Sequence, residues 1–172
     1  MKHFFLWIPA FLLAALFSCE RMSADVKGDV NLYLIESFET LDASGAISTD
    51  NLELETRALI AYKDLTQYDS GSCEFTITHQ ARDILDDMEF PVNGVPFAVL
   101  AGKEIIYTGY FWPSYSSASC QWVVIDPFMS SGSYKLRVQL GYPGQFEENT
   151  IPDYRNHPRI LEIFERDGKL KH

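Results

Sequence analysis

Pro96-Phe97-Ala98-Val99-Leu100, then Gly102-Lys103, then Glu104-Ile105-Ile106-Tyr107-Thr108-Gly109-Tyr110 reads as a β-hairpin. Five consecutive apolar residues are too few for a helix and suit a buried strand. Gly102-Lys103 supplies a two-residue turn, and the β-branched and aromatic residues after it return a second strand. Just before the hairpin, Val92-Asn93-Gly94-Val95 is a turn by its Asn-Gly. Further upstream, Glu74-Phe75-Thr76-Ile77-Thr78 alternates, with Phe75 and Ile77 on one face. It leads into a helix ending near Asp87, where Ala81, Ile84, Leu85 and Met88 recur at helical spacing and Pro91 stands just beyond.

Downstream, Gln121-Trp122-Val123-Val124-Ile125 and the alternating Tyr134–Leu140 add two strands. A final helix is capped by Asn156 or His157, admits Pro158 in its first turn, buries Ile160, Ile163 and Phe164, and stops at Gly168. Toward the N-terminus, Val30–Ser37 reads as a strand buried on most of both sides. Residues 38–52, rich in Asp, Ser, Thr and Gly, form a loop. Residues 53–69 stay ambiguous: Ala58-Leu59-Ile60 followed by Tyr62-Lys63-Asp64-Leu65 fits a short strand and a helical turn. The expected architecture is a single α+β domain over residues 30–172, a mainly antiparallel sheet with two helices packed on one face.

The chain has 172 residues, 47% of them hydrophobic and 22% charged, ordinary values for a globular protein. Fourteen Lys and Arg against 24 Asp and Glu give a net charge of −10. Nucleic-acid partners are not expected, because phosphates demand a basic surface.

Residues 1–18 read as a signal peptide. Lys2 gives a cationic start, and Phe4–Phe17 is an uncharged run of fourteen residues. A helix needs about 20 apolar residues to span a bilayer, whereas a secretory core needs about 7–15. The ending Leu16-Phe17-Ser18-Cys19 resembles the bacterial lipobox. That resemblance implies cleavage after Ser18, a diacylglycerol on Cys19 and an acylated new N-terminus. The alternative is a simple secretory leader followed by an incidental thiol. Residues 19–29 then form a polar tether. The mature chain of 154 residues carries 13 cationic and 24 acidic side chains, a charge of −11. So acidic a surface leaves membrane attachment to acyl chains at Cys19.

With Cys19 acylated, Cys73 and Cys120 remain, each near the start of a strand-like run. In an oxidising envelope they are a disulfide candidate, which would stabilise the fold by about 3–4 kcal/mol through closure of the chain between them. Two separately buried thiols are the other reading. No metal or cofactor site is expected, since no C-x₂-C pair or spaced histidines accompany them.

Tyr62-Lys63-Asp64-Leu65, Phe75-Thr76-Ile77-Thr78, Gly94–Gly109 and the connector Phe111-Trp112-Pro113-Ser114-Tyr115-Ser116-Ser117-Ala118-Ser119 together resemble an uncharacterised family of small bacterial envelope lipoproteins. The family implies an envelope location and no particular activity. In element order the middle stretch is also similar to the periplasmic head domain of SecD-type translocation subunits. Ala101-Gly102-Lys103-Glu104 departs from the head domain's Asp-Gly hairpin, so a translocation role is not implied.

Aromatic residues interleave with Ser114, Ser116, Ser117 and Ser119 between Tyr107 and Trp122. Ring faces cover C–H surfaces while hydroxyls donate and accept, so Tyr110, Trp112 and Tyr115 are the candidate ligand-contact rim for a glycan, an extended peptide or another envelope protein. The plainer reading is that the rings pack in the core and the connector folds over the sheet. Catalytic residues are not assigned. His79 and His157 sit where caps and surface contacts are expected, and Asp83, Asp86, Asp87 and Glu89 read as the solvated face of a helix. The expectation is a membrane-anchored, non-catalytic binding or accessory module. Its competitors are a small hydrolase of envelope polymer and a subunit that joins partners through an exposed sheet edge.

Overall fold

Ala101 pairs with Glu104 across Gly102-Lys103, so the hairpin closes on two residues. Gly102 takes φ +68°, which a turn with glycine at its first central position requires. The structure is a computed structural model and describes residues 26–128, 134–145 and 150–172. The leader, Cys19 and the tether as far as Asp25 lie outside the described residues. Among those described, no helix is long and apolar enough to cross a membrane.

The described strands are β1 (Val30–Ser37), β2 (Glu53–Leu54), β3 (Leu65–Asp69), β4 (Glu74–Ile77), β5 (Val95–Ala101), β6 (Glu104–Phe111), β7 (Cys120–Ile125), β8 (Lys135–Tyr142) and β9 (Leu170–Lys171), with helices α1 (His79–Asp86) and α2 (Pro158–Arg166). The strands form one sheet in the order β2-β1-β5-β6-β7-β8-β4-β3-β9. It is a mixed sheet: β6 and β7 run parallel, as do β3 and β9, and the other neighbours are antiparallel. The parallel β6–β7 pair arises because Trp112–Ser119 carries the chain back along the sheet. Eight extended residues reach about 28 Å, enough to return past a six-residue strand.

Strand alternation sends the apolar residues to two clusters. Phe97, Val99, Val123 and Ile125 join Ala81 and Leu85 of α1 and Ile160, Ile163 and Phe164 of α2. Ala98, Leu100, Tyr110 and Val124 join Ile35 and Ile47 in a second, smaller cluster. The ambiguous stretch becomes a bridge from Ile60 to Leu32 and a 3₁₀ turn at Tyr62–Asp64.

Thr78 caps α1 by accepting the Ala81 N–H at 3.3 Å. Ile84, expected on the apolar stripe, is 41% exposed. Arg82 takes the buried position instead, donating to the Pro127 carbonyl at 3.0 Å and pairing with Asp86 at 2.5 Å. In α2, Pro158 occupies the first turn and His157 is the cap, its Nδ1 accepting the Arg159 N–H at 3.4 Å. Arg166 at the other end donates to the carbonyls of Val26 and Gly28. Residues 26–29, read from sequence as the end of the tether, are therefore docked on the domain.

Acid should loosen this end of the molecule. Arg166 at 2.6 Å and the Tyr62 hydroxyl at 2.8 Å hold the Asp167 carboxyl down at about 2. Lys171 and the Ser72 N–H do the same for Asp69, also about 2. Both lie below the unfolded value of about 3.9, so their stabilisation is complete above about pH 4 and is lost as pH falls toward 2. Denaturation midpoints should drop across that window, and Asp167→Asn should flatten the drop. An Asp167→Asn variant with the full acid sensitivity of wild type would refute the assignment.

Candidate functional site

The face of the sheet away from the helices carries a cleft of about 460 Å³. One wall is the 38–52 loop, whose tip is fixed by its own chemistry. Asp42 Oδ1 accepts the Ser44 N–H at 2.7 Å, Ala46 O accepts the Leu41 N–H at 2.8 Å, and Thr40 bridges Ile47. Buried Ile47 plants the loop on the sheet, and the Tyr110 hydroxyl donates to Gly45 O at 2.9 Å. The other wall is the Asn93-Gly94 turn and the end of the connector at Ser119. Gly94 has φ +76°, and a Cβ there would stand 2.8 Å from Trp112 Cε3. Only glycine lets this turn press against the indole.

Phe38, Tyr110 and Trp112 form the aromatic part of the lining. The rings meet edge to face, Tyr110 with Trp112 at 6.2 Å and Phe38 with Tyr110 at 6.3 Å. Tyr110 and Trp112 are 8% and 7% exposed, so each shows the cleft only an edge. Burial pushes the Tyr110 hydroxyl up to about 12, which keeps it a donor at neutral pH. Thr40, Ser44, Asn93 and Ser119 supply uncharged polar groups, and among the described lining residues none is charged.

An exposed rim of three rings is therefore not what forms. Tyr110 and Trp112 are buried, the Trp112 Nε1–H donating to Ala118 O at 3.3 Å, and Tyr115 is exposed away from the cleft. The Tyr115 hydroxyl donates to Phe90 O, and its ring lies 5.6 Å from Phe128. The connector serines explain this: Ser116 donates to Val92 O at 2.7 Å and accepts the Ala118 N–H at 3.2 Å, folding the segment down over the sheet. The lining contributed by Phe38, Thr40 and Ser44 escaped the sequence reading. Their segment signalled only a polar loop, and nothing local shows that it arches back over β6.

Cys73 and Cys120 are both buried free thiols. Cys120 sits opposite Tyr142 on one side of β8, while the Cys73 carbonyl accepts from Val138 on the other. Four residues along that strand and two strand spacings across it separate them by roughly 16 Å, against a limit of about 7 Å between bridged Cα atoms. The disulfide expectation is thus overturned: similar places in sequence map to strands that are not neighbours. Cys120 lines the cleft, and burial raises its thiol to about 11, leaving it protonated and weakly nucleophilic near neutral pH.

Neither His79 nor His157 joins the described cleft lining. His79 pairs with Asp83 at 2.8 Å on the exposed face of α1, and His157 caps α2 beside Tyr154. The sheet edges are short as well, since β2 and β9 have two residues each. Compared with known proteins, the chain matches no family model, no curated protein and no solved structure.

Proposed function

We propose that this chain is a bacterial envelope lipoprotein, exported, lipidated at Cys19 and held at a membrane, whose α+β domain is a non-catalytic binding module. The observation that carries the binding half is the uncharged cleft between the 38–52 loop and β6–β7, of a size within the range of about 300–1,000 Å³ usual for small-ligand sites. A thiol that stays protonated suits holding a ligand better than attacking it.

The anchoring half rests on the leader and on Cys19. Arg166 clamps the chain at Val26, so the seven residues Glu20–Val26 give a leash of at most about 25 Å. The domain then works close to the bilayer while its acidic surface keeps it from lying on anionic headgroups.

The native product should begin at Cys19 and carry the mass of its acyl chains, and Cys19→Ala should release the protein from the membrane fraction. Mass spectrometry and fractionation decide this. A product that keeps Met1, or a Cys19→Ala variant that still sediments with membranes, overturns the anchor.

A further inference from the structure

We infer that the cleft takes an uncharged, hydroxyl-rich ligand of the oligosaccharide class, an inference that rests on reading the cleft as the binding site. Charge is the first argument. The chain is 22% charged, yet no charged side chain is among the described residues lining the cleft. An anionic ligand group brought there would lose water without gaining a counter-charge, and the Asp42 carboxylate on Ser44 and a net charge of −10 repel it.

The second argument is donor and acceptor type. The hydroxyls of Thr40 and Ser119 and the amide of Asn93 can each both give and accept a hydrogen bond, and all three residues are exposed. Sugar hydroxyls have the same dual character, whereas a carboxylate or phosphate only accepts. The half-buried Phe38 ring and the edges of Tyr110 and Trp112 offer C–H surface between these polar groups.

The third argument separates saccharide from extended peptide. An extended peptide that binds by β-augmentation gains its affinity from main-chain hydrogen bonds to an open sheet edge. Here β6, which carries Tyr110, is paired on both sides by β5 and β7. The cleft therefore offers side chains and a loop, not a free ladder.

The test uses the purified full-length product with neutral oligomers of glucose, mannose, galactose and N-acetylglucosamine, acidic oligomers of uronic acids, and an uncharged Ser/Gly-rich peptide. Tryptophan fluorescence and calorimetry report binding. At least one neutral oligosaccharide should bind, acidic oligomers should bind about tenfold more weakly or not at all, and Ser119→Trp should weaken the neutral ligand by about tenfold or more. Ser119 is exposed, so that variant fills the cleft without touching the core; Thr40→Ala gives a milder second perturbation. If the peptide or the acidic oligomers bind best and Ser119→Trp blocks them, the saccharide inference falls and the cleft reading stands. If no neutral oligosaccharide binds, the inference falls. Neutral binding that neither variant weakens overturns the cleft reading itself.

Discussion

Phe164→Ala is expected to lower the unfolding free energy by about 3–5 kcal/mol, a large part of the roughly 5–15 kcal/mol that holds a domain together. Phe164 has no solvent exposure and sits where α2 meets three other rings. Tyr62 lies 5.4 Å away, Tyr68 5.5 Å and Phe75 5.9 Å. Removing the ring leaves a cavity whose walls cannot collapse, because two of them are pinned. Tyr62 donates to Ile163 O at 3.1 Å, and Tyr68 donates to Arg155 O at 2.8 Å. Phe164→Leu keeps more volume and should cost less. The site is in the helix-side cluster, away from the cleft, so the folded fraction of Phe164→Ala should bind cleft ligands as wild type does. Equilibrium denaturation that shows a loss under about 1 kcal/mol would mean that this packing has been misread.

Phe164 was also among the residues most legible in the sequence, and the reason is local. Ile160, Ile163 and Phe164 fall at helical spacing between a proline and a glycine, so cap, stripe and stop all lie within about a dozen residues. The hairpin at Gly102-Lys103 was legible for the same reason. What failed was information that no short window holds. Strand β6 ends with Phe111 and β7 begins at Cys120, and whether those strands pair parallel depends on the path of the connector between them. The expected mainly antiparallel sheet holds for most neighbours and gives no sign of which pairs depart from it. The disulfide expectation failed similarly, since two cysteines at strand starts say nothing of the strand that separates them.

The candidate site was legible in part. Tyr110 and Trp112 do line the cleft, but as buried edges. Aromatic composition marked the place, and the connector's hydrogen bonds, which depend on contacts with residues 90 and 92, set how much of each ring meets solvent. The opposite wall came from a loop more than 50 residues earlier, with no periodic pattern to announce it.

Gly109→Ala is expected to be as damaging as the loss of the Phe164 ring, by the opposite mechanism, and to reach the cleft as well. Gly109 lies in β6 opposite Phe97 of β5. A Cβ at this position would stand 2.6 Å from the Val123 carbonyl oxygen and 2.7 Å from Phe97 Cζ. The phenyl ring covers the bare backbone of the glycine, an arrangement known to support glycines in sheets. A flexible side chain could yield, but the Val123 oxygen belongs to β7. The methyl group must therefore part β6 from β7 or displace a fully buried ring. Overpacking ordinarily costs about 1–3 kcal/mol, and a backbone contact this close puts the expected loss at about 3 kcal/mol or more. Tyr110 pairs with Val124 at the next position, so parting the strands also moves the ring that reaches across to Gly45. Cleft binding in the folded fraction should weaken in Gly109→Ala and persist in Phe164→Ala, which separates damage to the site from damage to stability. Gly144→Ala is the control, because a Cβ there meets nothing within 4 Å and the backbone is not left-handed. If Gly109→Ala unfolds at the same denaturant concentration as Gly144→Ala, the close parallel packing of β6 on β7 is not present in solution, and with it goes the wall on which the cleft depends.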